Sequence, residues 1–140
     1  LLKVLSLPMK ITLPITVMAF ETDFGGVVSN TRYVEYLERG RYALMHAAGL
    51  RIEEVWKNHG AQPIVRHLDI HYLGGARHED ELELEVSIKE HTRSTTVLSF
   101  LLKRGEEELM RATQTLAYIN HRWRPTRVPT VFLEAFQVEN

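Results

Sequence analysis

The stretch from Phe20 to Arg41, FETDFGGVVSNTRYVEYLERGR, decides how this chain folds. It opens as a Gly-containing loop and passes directly into helical periodicity. Ser29 and Asn30 are both suited to an N-cap, and Tyr33, Tyr36, Leu37, Gly40, Leu44 and Ala47 then recur at helical spacing until Gly49 offers a stop. One amphipathic helix of about five turns is predicted. The loop delivers a carboxylate, Asp23, to the first turn of that helix. The first turn leaves its amide donors unpaired and carries partial positive charge, so a carbonyl held there would be polarised while the carboxylate supplies base or nucleophile. Acyl transfer is the chemistry that such a pairing suits.

Working outward, the β-branched run ITLPITV predicts a strand between about Met9 and Glu21, with Pro14 confining it to an edge, a bulge or a later start. After Gly49, Arg51 to Asn58 reads as a short second helix ending at Gly60, with Ile52, Val55 and Trp56 on its apolar side. Four strands follow, roughly Gln62 to Tyr72, Glu81 to Glu90, Ser94 to Lys103 and Glu108 to Asn120, with turn signals at Gly74-Gly75 and Arg104-Gly105. The second alternates most clearly, Leu82, Leu84, Val86 and Ile88 against Glu81, Glu83, Glu85, Ser87 and Lys89, which leaves one buried face and one wet face. A sheet with one wet face needs something to cover the other, and only the long helix is available. The fold class expected is α+β, a five-stranded antiparallel sheet curled round a central helix.

Composition bounds the function. The 140 residues, 44% hydrophobic and 25% charged, fit one soluble globular domain. A net charge of -1 argues against a generally basic nucleic-acid binder but leaves room for a local basic patch. With no cysteine there are no disulfides, thiolate metal sites or cysteine nucleophiles, and a cytoplasmic protein is expected. No apolar run reaches the roughly 20 residues that span a bilayer. The opening LLKVLSLP, interrupted by Lys3, reads as an N-terminal extension over residues 1–8, before a single domain from Met9 to Asn140 with a start at Met9.

The match to a known family is carried by Thr22-Asp23-Phe24-Gly25-Gly26-Val27-Val28, followed by Asn30, Tyr33, Leu37, Glu38 and Arg41, and downstream by VRHLDIHYLGGARHEDEL from Val65, Arg93-Ser94 and ATQTLAYINHRWRPTRVP. On these residues the chain resembles hotdog-fold acyl-CoA thioesterases of the 4-hydroxybenzoyl-CoA thioesterase-like branch. The resemblance implies that Asp23 is the catalytic carboxylate, as nucleophile or as general base on water, and that the helix amide near Asn30 binds the thioester oxygen. Gly26, Val27, Val28, Tyr33, His67, Arg93 and Ser94 are the expected substrate contacts. Hotdog domains pair edge to edge, so a homodimer or homotetramer with acyl-CoA sites between subunits is expected, with no cofactor, no metal, no nucleic acid and no membrane span. Two departures stand out. Some branches have His where this chain has Asn30, which cannot serve as a base, and members often have Pro where this chain has Gly75.

Other clusters carry competing readings. His67, Asp69 and His71 share one strand face, but neighbours two apart lie ~7 Å from each other while metal ligands converge at ~2 Å, so sheet polarity explains them better than a metal. His67 at a subunit boundary is the alternative role. Arg122, Trp123, Arg124 and Arg127 suit phosphates and an adenine ring, or form a solvated exit loop; Arg93, Lys103 and Arg104 are similar single candidates. Glu106-Glu107-Glu108 reads as a hairpin tip, and Ser29, Ser94 and Ser99 lack a Gly-x-Ser-x-Gly elbow. Hydrolysis of an acyl-CoA thioester leads, with an acyl carrier protein substrate, a non-catalytic acyl-CoA-binding module and a hotdog dehydratase as the competing readings.

Overall fold

A computed structural model describes residues 3–4, 9–136 and 138–139. In chain order the elements are β1 (Lys3–Val4), β2 (Lys10–Thr16), a single 3-10 turn (Ala19–Glu21), α1 (Asn30–Ala47), α2 (Ile52–His59), β3 (Ala61–Tyr72), β4 (Glu81–His91), β5 (Thr95–Arg104), β6 (Glu107–Asn120), β7 (Pro125–Thr126), α3 (Thr130–Ala135) and β8 (Val138–Glu139). The main sheet runs β2-β4-β5-β6-β3, antiparallel throughout. The predicted helices and the four later strands stand within a residue or two of where the periodicity put them.

Three details differ from the sequence reading. The first strand ends at Thr16 rather than Glu21, because Met18 to Glu21 turn back on themselves, Glu21 N donating to Met18 O at 2.9 Å. Pro14 is tolerated because β2 pairs only with β4 among the described residues, leaving the other side of the strand unladdered. The sheet also gains a short sixth strand: β7 pairs with Tyr118 and Ile119 of β6, continuing past the point where β5 begins. Gly74-Gly75 does not make a tight hairpin but belongs to a longer connection between β3 and β4. Most of the predicted N-terminal extension lies outside the described residues; Lys3–Val4 pairs antiparallel with Val138–Glu139.

The helix fills the concave face of the sheet, the hotdog arrangement that the sequence predicts. Leu82, Leu84, Val86 and Ile88 of β4 join Leu98, Phe100 and Leu102 of β5 beneath Tyr33, Tyr36, Leu37 and Leu44 of α1 in one continuous core. Each such side chain contributes roughly 1.5–3 kcal/mol by leaving water. The closest approach is at Gly40, where a Cβ would stand 2.8 Å from Leu84 Cδ2 and 2.9 Å from Val86 Cγ2. Glycine here lets the α1 backbone rest directly on the sheet. Beside it, Arg41 is ion-paired with Glu38 one turn back and donates at 3.0 Å to Oε1 of the buried Gln114 on β6.

At the opposite end of the sheet α3 lays Phe132 and Phe136 over Tyr118 and His91, with ring centroids 4.9 Å and 5.6 Å apart. His91 is 1% exposed, and its Nδ1 and the Tyr118 hydroxyl both bond the Thr96 hydroxyl, at 2.9 Å and 2.7 Å. Burial disfavours the imidazolium and pulls the His91 pKa down to about 4.

Replacing Gly40 by valine is expected to cost about 2–3 kcal/mol, read as a lowered urea midpoint, because both clashing neighbours belong to a packed core. His91 sets a pH dependence. An unfolded histidine titrates near 6.5 and the native one near 4, so the unfolded chain binds more protons between them, and the stability present above pH 6.5 falls as the pH drops toward 4. The slope from this residue approaches about 1 kcal/mol per pH unit, and His91→Gln should flatten it in urea melts recorded across that window.

Candidate active site

The loop that carries Asp23 is held by its own backbone. Asp23 N donates to Val27 O at 2.9 Å and Gly26 N to Asp23 O at 3.0 Å, a turn that places Gly26 at φ +82°. Only glycine occupies that region without steric cost. The Asp23 side chain is exposed, and its Oδ1 accepts from Gly25 N at 2.8 Å. One carboxylate oxygen is therefore fixed by the loop, while Oδ2 has no partner among the described residues and is open to a ligand.

Two sets of bonds tie this loop to the start of α1. On one side Glu21, 8% exposed, accepts from Met18 N at 2.9 Å and from the Tyr36 hydroxyl at 3.0 Å, and its carbonyl receives Ser29 N at 3.0 Å. Burial, reinforced by the Glu21 carboxylate, raises the Tyr36 pKa far above its ordinary value, so this phenol stays a donor. On the other side Val28 N donates to Ala76 O at 2.8 Å and Ala76 N to the Tyr33 hydroxyl at 3.2 Å. Ser29 occupies the cap position, although its side chain makes no capping bond. Asn30 is the first helical residue. Among the described residues no acceptor is bonded to the N–H groups of Asn30 and Thr31.

Asp23, Val27, Val28, Asn30 and Tyr33 meet Tyr72 to Gly75 around an open cleft of about 510 Å³. Tyr72 closes one wall, its hydroxyl donating to Asn30 O at 3.1 Å and its ring meeting Tyr33 edge to face at 5.3 Å. The Gly74-Gly75 wall is clamped from behind: Leu73 N and Gly74 N both donate to Leu109 O, and Arg104 donates to Gly75 O at 3.2 Å and to Asp80 Oδ2 at 2.5 Å. Burial opposes charge on Asp80, but the Arg77 N–H and the Arg104 guanidinium outweigh it and hold the carboxyl below its usual range. Gly75, which stands where members of the resembled family often have proline, has a steric reason: a Cβ there would stand 2.9 Å from Val27 Cγ1.

Within one chain the cleft gathers Asp23, Asn30, Val27, Val28 and Tyr33; Gly26 belongs to the same loop but does not line it. It does not gather His67, Arg93 or Ser94. His67 lies exposed on β3, on the same side as Asp69 and His71, whereas Tyr72 points to the helix. His71 Nε2 pairs with Asp69 Oδ1 at 3.1 Å, and among the described residues no three His, Asp or Glu side chains converge as a metal site. Arg93 and Ser94 form the β4–β5 turn, at the other end of the sheet from the cleft. Sequence reasoning passed over Glu21 and Tyr72. The signal for Glu21 was its spacing three residues after Met18; Tyr72 had none, because its role arises from a contact 42 positions away.

The model of the thioesterase-like superfamily matches residues 17–136. Acyl-CoA thioesterase YbgC of Haemophilus influenzae is 27% identical over 124 residues, covering 88% of this chain and 91% of that protein. A chloroplastic acyl-acyl carrier protein thioesterase of Arabidopsis thaliana, ATL2, is 29% identical over 113 residues, 79% of this chain. The chain spans only 60% of the length of that plant protein and 62% of a second one, ATL3. A crystal structure of a 4-hydroxybenzoyl-CoA thioesterase variant bound to 4-hydroxybenzoyl-CoA shares the fold, with a TM-score of 0.84 at 20% identity over 91% of this chain and 99% of that one.

Gly75→Ala is expected to push Val27 and its loop aside, lowering stability by about 1–2 kcal/mol. Adding Val27→Ala should recover most of that loss, a non-additivity that a double-mutant cycle on thermal melting would read directly.

Proposed function

Because the chain belongs to the thioesterase-like superfamily, we propose that it hydrolyses an acyl-CoA thioester to a free carboxylic acid and CoA. The observation that carries this reading is the meeting, in one cleft, of a carboxylate with a free Oδ2 and a helix start with two unbonded N–H groups. The thioester oxygen docks against the Asn30 and Thr31 amides, which stabilise the negative charge that grows on it as the carbonyl carbon becomes tetrahedral. Asp23 either takes a proton from the attacking water or attacks the carbon itself. In the first course the water oxygen bonds to the carbonyl carbon, Asp23 holds the proton, and collapse breaks the C–S bond as that proton passes to the leaving thiolate. In the second a mixed anhydride forms with loss of thiolate, and water then cleaves it.

The magnitudes suffice. A positioned acid–base group contributes about 10²–10⁴-fold and one oxyanion donor roughly 3–4 kcal/mol, adequate for an already activated acyl group. Asn30 contributes its backbone amide; its side chain can orient a ligand or a water but cannot take a proton. The acyl-CoA thioesterase relative of H. influenzae, which aligns over nearly its full length, supports a CoA thioester. The two plant relatives support a second reading, an acyl carrier protein thioester cleaved by the same groups.

A second copy of the chain completes the site in this proposal. β3 is one of the two unladdered edges of the sheet among the described residues, and it carries exposed Ile64 and Val65. Pairing two such edges satisfies their backbone groups and covers the open side of the cleft, which in one chain is exposed to water. No helix among the described residues is long and apolar enough to cross a membrane.

Release of free thiol from a panel of aromatic and aliphatic acyl-CoAs tests the activity. Asp23→Asn is expected to lose at least about 10²-fold in kcat with its melting temperature retained; full activity in that variant would remove Asp23 from the mechanism. Specific activity should fall on dilution as subunits separate, and an active monomer in sedimentation velocity would refute the shared site.

A further inference from the structure

Gln114 of β6 is a polar side chain in an apolar row: it is 0% exposed and paired in register with Leu98 on one side and Leu68 on the other. Its orientation follows from Arg41. A guanidinium has donors only, so the amide must turn its oxygen toward it, and Gln114 Oε1 accepts from Arg41 Nη1 at 3.0 Å. The Gln114 NH2 is thereby turned away, and it has no acceptor among the described residues. Flipping the amide would only set donor against donor. Arg41, whose side chain is 12% exposed, pairs with Glu38 through both Nη atoms, has the Tyr42 ring centroid 5.5 Å from its guanidinium carbon, and keeps its Nε–H without an acceptor among the described residues. The cluster carries more N–H groups than oxygens to receive them. Buried polar groups left in this way are costly, and native proteins keep few of them.

This cluster stands at the end of a strip of the concave face that α1 does not cover. The helix rests on β2 and β4, and its closest approach, at Gly40, meets Leu84, Val86 and Phe100 of β4 and β5. Along β3, by contrast, Leu68 and Ile70 are only half-buried and Tyr72 is exposed. The strip begins at the cleft, where the Tyr72 hydroxyl reaches Asn30 O, and passes Ile70 to Leu68 opposite Gln114. The strand rise from Tyr72 to Leu68 makes it about 13 Å long, and the helix rise from Asn30 to Glu38 gives about 12 Å.

We propose that Gln114 is a specificity-determining residue which, together with Glu38, receives a hydroxyl at the far end of an aliphatic acyl chain. The inference rests on the thioesterase reading above. With the thioester carbonyl at the Asn30 amide, an acyl chain laid along β3 comes beside Gln114 after roughly ten carbons, whereas the hydroxyl of a single para-substituted benzoyl ring falls well short. A hydroxyl answers both partners: it accepts from the Gln114 NH2 and donates to Glu38, whose side chain is 39% exposed. A second carboxylate does not fit, because Glu38 already neutralises Arg41 and the new charge would face that acid. A plain methyl terminus leaves the NH2 unanswered. Arg41 lies against the amide, and its side chain is the one that shifts to admit the hydroxyl.

Thiol release on paired substrates tests this, each ω-hydroxyacyl-CoA of roughly eight to twelve carbons being compared with the plain acyl-CoA of the same length. The native chain is expected to favour the hydroxylated member by about tenfold in kcat/KM at the matching length, the scale of one buried hydrogen bond. Gln114→Met and Gln114→Glu should each bring that ratio to about one. Glutamate keeps an acceptor for Arg41 and removes only the donors, so it separates the NH2 from the packing. Because the ratio is taken within each protein, a smaller folded fraction cancels. The ratio for 4-hydroxybenzoyl-CoA over benzoyl-CoA should not depend on residue 114, and a dependence there overturns the assignment of the far end. A native ratio near one at every length overturns the proposal, as does a preference that survives both substitutions, and either result leaves the thioesterase standing. For a chain that cleaves no thioester, calorimetric titration with the free hydroxy acid and the plain acid decides. Tighter binding of the hydroxy acid that Gln114→Glu abolishes keeps the site and removes the thioesterase, whereas equal binding removes both.

Discussion

The site depends on how closely α1 lies on the sheet. At Gly40 there is no side chain between the helix backbone and Leu84, Val86 and Phe100, so the helix axis is set by contact with strand side chains rather than by a spacer of its own. Everything N-terminal to Gly40 inherits that depth. Tyr33 and Tyr36 are carried far enough inward for their hydroxyls to reach Ala76 N and the Glu21 carboxylate, and the first turn is presented at the sheet's end. A helix held off by even one methyl group would tilt, and the bonds that fix the loop beneath it would lengthen first.

Those bonds explain how an exposed carboxylate and unbonded amides can stand together without collapsing on one another. Ser29 holds the cap position of α1, and Asp23, six residues earlier, has its Oδ1 taken by Gly25 N of its own loop. Glu21 is buried as the brace and Asp23 is left outside it, two carboxylates two residues apart with opposite environments. In water the free N–H groups of Asn30 and Thr31 cost little, and they would be stronger donors in a drier environment.

How much of this was legible in the sequence follows from the range of each interaction. The period of α1, the alternation of β4 and the left-handed stops at Gly49 and Gly60 are local signals, and the elements fall where those signals put them. The Asp23 loop was readable for the same reason. Tyr72 was not, since its role depends on β3 lying beside the start of α1, a matter of sheet order rather than of neighbouring residues. The end of the first strand was overextended because β-branched content says nothing of the turn that Glu21 enforces from its side chain. Arg93 and Ser94 stand apart from the cleft because one chain cannot bring both ends of a long strand to one point, and His67 because it lies on the face of β3 opposite Tyr72.

That separation also accounts for where the fold keeps its unfavourable features. The core and the cleft walls satisfy their charges, with Arg41 on Glu38, Arg104 on Asp80 and Glu107, and Arg111 on Glu108. Like-charged guanidinium groups and a strained tryptophan are concentrated instead on a loop that neither the helix nor the sheet needs for its packing. Self-repulsion and backbone strain both lower stability, and a solvated exit loop could shed them by substitution at no structural loss. The rigid frame that Asn120 builds around them does the opposite and holds the strained geometry in place.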